Sequence, residues 1–387
     1  MFDPQTAALI RAGPKLPDLV LDRLPEEMTR VFAEIVALRL RLATGPAHLP
    51  AEVIRKLEEF RRIAVTYEAM VLLMPSREDR SAAAFVAAQT HHLLHLARRA
   101  QGGIPPPVLS AESISPEISA LLLFLIANQP SDAMEMAREI ESAAQEQQSV
   151  LRVLTAAICA LGKGELGTIV ELSYDHQILE DYEEAAVAAL YGEILTGIKL
   201  FADFVLHADR FRNGPTEAMT IFLRVQKISV EAIETPIADF ADSENTPPVS
   251  SFAGPHHLAS LLLGAAANLG HAALAAVPPP PGLDGSAWST LVSSIATRRP
   301  FLWPNHLAAL ELGFLNPGTS SVVSFPTGGG KTTLSELKIA TVLANGGAVI
   351  YLAPTHALVG QTKRDLTNAF SVPVRESFLV EDYYAEI

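Results

Sequence analysis

Apolar residues recur at three- and four-residue spacing through most of the first 277 positions. "EEMTRVFAEIVALRLRLA" (26–43), "AEVIRKLEEFRRIAVTYEAMVLLM" (51–74) and "SAAAFVAAQTHHLLHLARRA" (81–100) each place one apolar stripe along a helix. "QGGIPPPVLS" (101–110) interrupts the pattern. It resumes at 116–129, 131–145, 149–162, 181–211 and 215–234, and several of these stretches open with a Ser, Asp or Pro suited to a helix start. Alternating strand patterns are scarce here, and no fixed-period repeat emerges.

The pattern changes after "VPPPPGLDGS" (277–286), whose four successive prolines cannot continue a helix and favour an extended spacer. "SSVVSF" (320–325) predicts a strand, "TTLSELKIATVLANG" (332–346) a helix and "GAVIYLAP" (347–354) a second strand. "THALVGQTKRDLTNAF" (355–370) predicts another helix, and "VPVRESFLV" (372–380) a third strand. Strands alternating with helices argue for a parallel sheet with covered faces.

Composition narrows the class. The 387 residues are 49% hydrophobic and 19% charged, enough to bury more than one core and unlike a disordered chain. The net charge of −14 lies wholly before Arg298, because seven basic and seven acidic residues balance from there onward. An acidic N-terminal part argues against a broad nucleic-acid-binding face. The single cysteine, Cys159, excludes an intramolecular disulfide and fits a reducing compartment; within "LTAAICALG" it reads as an inert core thiol. The first residues lack the basic-then-apolar order of a signal peptide, so the expected location is the cytoplasm. The apolar stretch 258–277 has the length of a membrane span, but Asn268 and His271 favour a buried helix, and no membrane partner is expected.

One segment carries chemistry. Gly328, Gly329, Gly330, Lys331 and Thr332 lie between a predicted strand and a predicted helix, the context a phosphate-binding loop requires. Glycines let successive N–H groups turn toward phosphate oxygens, and the helix adds its positive N-terminal end. Lys331 would reach the β and γ phosphates, and the Thr332 hydroxyl would ligate Mg²⁺.

The form "PTGGGKT", with Phe325 where the generic loop has its first glycine, resembles the loop of superfamily 2 helicases, including DEAD/DEAH-box, Ski2-like and RecQ-like proteins. Downstream, Ala353, Pro354, Thr355, Leu358 and Gln361 in "YLAPTHALVGQ" are similar to helicase motif Ia. Upstream, "RRPFLWPNHLAALELGFLN" resembles the segment in which an aromatic and a glutamine read adenine. The glutamine position falls on His306, with Asn305 one residue away, and Phe301 or Trp303 as the stacking aromatic. The resemblance covers about 298 to 370.

The residue pattern sets the first two boundaries below, and the resemblance implies the rest. Residues 1–277 form an all-helical accessory domain, 278–290 a Pro-rich linker, and 291–387 the N-terminal part of a RecA-like P-loop domain with a parallel sheet, ending before a D-E-x-[DH] element. ATP and Mg²⁺ are held by Thr327, Gly328, Gly329, Gly330, Lys331, Thr332, Thr333 and His306. Lys331 and Thr332 are the catalytic pair and Thr332 the Mg²⁺ ligand. Pro354, Thr355 and Gln361 meet single-stranded or duplex nucleic acid. The implied activity is ATP-dependent helicase or translocase action, with the present chain alone inactive and binding nucleotide weakly if at all. Glu381 and Asp382 in "FLVEDYY" are the nearest approach to the acidic element. Large helical regions joined to such motors occur in anti-phage systems. Two alternatives stand beside it: a non-catalytic helical scaffold for a protein partner, and a P-loop NTPase acting on protein.

The other constellations read as structural. His91 and His95 in "THHLLH" lie four apart on one helical face, but His92 stands where a metalloprotease has its glutamate.

Overall fold

The computed structural model describes residues 24–44, 51–74, 76–102, 107–143, 150–174, 181–231, 249–250, 252–325 and 330–370. The helices are α1 Leu24–Thr44, α2 Ala51–Leu73, α3 Arg77–Gln101, α4 Pro116–Ile126, α5 Pro130–Ala143, α6 Val150–Lys163, α7 Leu166–Glu171, α8 Tyr182–Leu206, α9 Thr216–Ile228, α10 Ala253–Ala272, α11 Gly285–Ala296, α12 Pro304–Glu311, α13 Lys331–Ala344 and α14 His356–Phe370. By contact pattern they divide into two units. One holds Met1–Asp203 with Asn213–His271, the other Phe204–Arg212 with Ala272–Ile387.

The first unit is a helical assembly in which α3 packs on α1, α2 and α4. Its central element is α4, where every residue from Ile118 to Ile126 is buried. A helix apolar on all sides has no wet face and must be enclosed. Cys159 of α6 lies in this core, and burial pushes its thiol up to about 12. The long apolar α8 is the described helix that could cross a membrane by length and composition; more than half of that stretch is buried inside the protein. The strand pair β1 Val230–Glu231 and β2 Val249–Ser250 is antiparallel, joining Val230 to Ser250.

Polar groups also enter this core, and several histidines meet carboxylates there. His91 Nε2 lies 3.0 Å from Glu68, and His257 bonds the other Glu68 oxygen. His95 sits between Glu117 at 2.6 Å and Glu139 at 2.8 Å. Burial works to raise the Glu68 and Glu117 carboxyls, yet the neighbouring imidazoles hold both down, Glu117 at about 2. Burial and the nearby Arg39 lower His92 to about 4. His91 and His95 of "THHLLH" thus take separate carboxylate partners.

In the second unit Trp288, Val292 and Ile295 of α11, Leu334 and Leu337 of α13, and Phe370 of α14 form one core. Trp288 is fully buried and donates its indole N–H to Val277 O at 2.8 Å. The α11 helix starts at Gly285, capped by Asp284, inside the stretch read as linker.

The expected parallel sheet is absent among the described residues. Residues 321–325 and 347–353 carry no strand ladder among the described residues. Val322 is fully exposed, Ile350 is 88% exposed and Leu352 86%. The sequence has the apolar, β-branched composition of a buried strand, but a strand exists only when a neighbour completes its hydrogen bonds and something covers its face. No ladder partner is present among the described residues, and Val322, Ile350 and Leu352 are left wet, although Val323 and Phe325 pack against the core of this unit. The fold class is corrected accordingly: the second unit, where described, is helical, as is the first apart from one short strand pair. The third strand expected at 372–380 lies outside the described residues.

Candidate functional site

The turn before α13 is set by Gly330. Its φ of 77° and ψ of 26° are left-handed, a conformation that side-chain-bearing residues rarely adopt. Its carbonyl accepts from Thr333 N–H at 3.0 Å, which starts the helix. Lys331 and Thr332 follow in the first turn, both exposed, with no acidic residue beside them. Thr333 points inward and is buried. Thr327, Gly328 and Gly329 lie outside the described residues.

His306 meets this turn from α12. Pro304 occupies the first helical position, and His306, two residues on, reaches back to the helix start. Its Nδ1 accepts the Trp303 backbone N–H at 3.0 Å, and its Nε2 lies 3.0 Å from Gly330 O. The ring is 1% exposed. Trp303 stacks on it with centroids 5.7 Å apart and 17° between planes, and Phe325 borders it at 6.2 Å. A Cβ on Gly330 would overlap the imidazole. Phe301 forms a bridge with Ala273.

The predicted nucleic-acid residues lie beyond α13, around the start of α14. Pro354 and Gln361 are exposed. Thr355 precedes α14, and its Oγ1 accepts the Leu358 N–H at 3.3 Å. Thr355 and Gln361 are thus at and within the first turns of one helix, and nothing places them against the Gly330 turn.

Sequence reasoning missed the groups that brace α13. Glu336 is 1% exposed and binds Arg299 at 2.7 Å and Arg298 at 3.4 Å. Burial outweighs these two guanidinium groups, and the carboxyl stands above its ordinary range. Lys338 donates to Phe314 O and Asn316 O, both at 2.9 Å, and lies over the Phe314 ring. Ser294 of α11 donates to Ala369 O of α14 at 2.6 Å. A signal was available for Glu336. It shares the stripe of Thr333, Leu337 and Ala340, all buried, and a carboxylate in such a stripe calls for cations.

An ATP–Mg²⁺ group can be tested against these residues. A left-handed glycine, an exposed ammonium and a hydroxyl at a helix N-terminus are a donor set for an anion and its cation, and no acidic side chain opposes them in that turn. Residues 305–383, about a fifth of the chain, match the DEAD/DEAH box helicase family, a span that holds His306, the Gly330–Lys331 turn, Thr355 and Gln361.

Proposed function

We propose that the second unit contributes the phosphate-binding part of an ATP-dependent helicase or translocase. The observation that carries this reading is the left-handed Gly330 opening directly into a helix that begins Lys331–Thr332, inside a segment matching the DEAD/DEAH box helicase family. The backbone N–H groups of that first turn and the Lys331 ammonium bind the terminal phosphates, and the Thr332 hydroxyl holds Mg²⁺. Bound Mg²⁺ supplies charge neutralisation at the phosphates. The N-terminus of α14, with Pro354, Thr355 and Gln361, meets the sugar-phosphate backbone of nucleic acid.

Calorimetric titration of the chain with MgATP, beside Lys331→Ala, tests the phosphate site. Binding that weakens at least about tenfold in the variant is expected, the loss of one charge-assisted contact; equal affinity refutes the assignment. Fluorescence anisotropy with single-stranded DNA and RNA tests the second contact. Affinity should fall steeply as salt rises.

A further inference from the structure

The imidazole of His306 is fully committed. Trp303 N–H can only donate and Gly330 C=O can only accept, so the ring is the neutral tautomer protonated on Nε2, with Nδ1 as acceptor. With Trp303 stacked on the ring and Phe325 beside it, almost none of its surface reaches solvent. Such a ring has no donor or acceptor left for a nucleobase unless it releases Trp303 or Gly330. Its Nε2 meets the Gly330 carbonyl, the hinge of the turn that leads into Lys331 and Thr332. That carbonyl already accepts Thr333 N–H, so the imidazole fills its second lone pair and fixes its direction. The fit is tight enough that no side chain is tolerated at Gly330 without displacing the ring.

We propose that His306 is a positioning residue for the phosphate site: a buried latch that holds the Gly330 turn in its left-handed shape, acting on the triphosphate through the loop and not on the base. This rests on the reading of Gly330–Thr332 as the phosphate site. A latch and a base reader differ in what they do to a ligand with no base. The test is therefore the Kd of Mg-ATP and of Mg-tripolyphosphate, for the wild-type chain, His306→Ala and His306→Gln, at a temperature where circular dichroism shows all three folded.

His306→Ala should weaken both ligands by the same factor, about tenfold, the net size of one or two lost hydrogen bonds. His306→Gln should recover most of it, because its amide can accept from Trp303 N–H and donate to Gly330 C=O. Loss for ATP alone, or for neither ligand while the wild type binds, overturns the latch and leaves the phosphate site standing. A wild type that binds neither ligand overturns both. Should His306→Ala not fold, ¹⁵N imidazole spectra of the wild type near neutral pH decide. A single Nε2–H tautomer that persists in Mg-tripolyphosphate supports the latch, and a tautomer mixture overturns it.

Discussion

Replacing Arg299 with Ala exposes the electrostatic design of the second unit. Glu336 is buried, and the Arg299 contact at 2.7 Å is the closer of its two cations. Removing one partner of a buried pair costs about 3–5 kcal/mol when the remaining charge is stranded. Here Arg298 stays at 3.4 Å, and both arginines are about a third exposed, so water screens part of the loss. The expected penalty near neutral pH is about 2 kcal/mol. Its pH dependence has a definite sign. The folded carboxyl already stands above its ordinary value of 4.5, chiefly through burial, with Asp365 adding to it. For a raised carboxyl, stability is full below the unfolded value and is lost as pH rises through the folded one. Without Arg299 the carboxyl rises further, so the variant's penalty should be small near pH 4.5 and grow toward neutrality. The chain's two tryptophans, Trp288 and Trp303, both lie in this unit, so urea unfolding followed by tryptophan fluorescence reads this unit alone. A penalty under about 0.5 kcal/mol near neutral pH, or one equally large in acid, would refute the reasoning.

Three further outcomes are expected. Gly330→Ala should destabilise the second unit by about 1–2 kcal/mol through left-handed strain, and by more if the His306 ring must move, read by the same urea assay. Trp288→Phe should cost about 1–3 kcal/mol, since it leaves Val277 O without its indole donor, as measured by thermal circular dichroism. In the first unit Glu117 is held at about 2, below its ordinary 4.5, so it lends stability above that value which fades as pH falls toward 2. Glu117→Gln should flatten the loss of helical signal over that interval, and an unchanged acid titration would contradict the His95 pairing.

Much of the helical structure was legible because burial on one face writes itself into spacing. The stretch 51–74 became Ala51–Leu73, and 355–370 became His356–Phe370. The sheet was misread because strand-like composition says nothing about who pairs with whom. "SSVVSF" and "GAVIYLAP" have the residues of strands, and the partner is a property of the fold, not of the segment. At the site, the glycine–lysine turn was local and therefore visible. The His306–Gly330 contact joins residues 24 apart and the Arg299–Glu336 pair residues 37 apart, so neither leaves a local trace. Phe325 read as an oddity in the loop; its packing on His306 is what gives it a place.

The wet apolar run at Ile350 and Leu352, with Val322 nearby in sequence order to the Gly330 turn, has a colloidal consequence. Main chain outside any ladder, flanked by exposed β-branched and leucine side chains, is a template for another chain. Two molecules that meet there can supply each other's hydrogen bonds, so the shelf life of a purified sample should shorten as its concentration is raised.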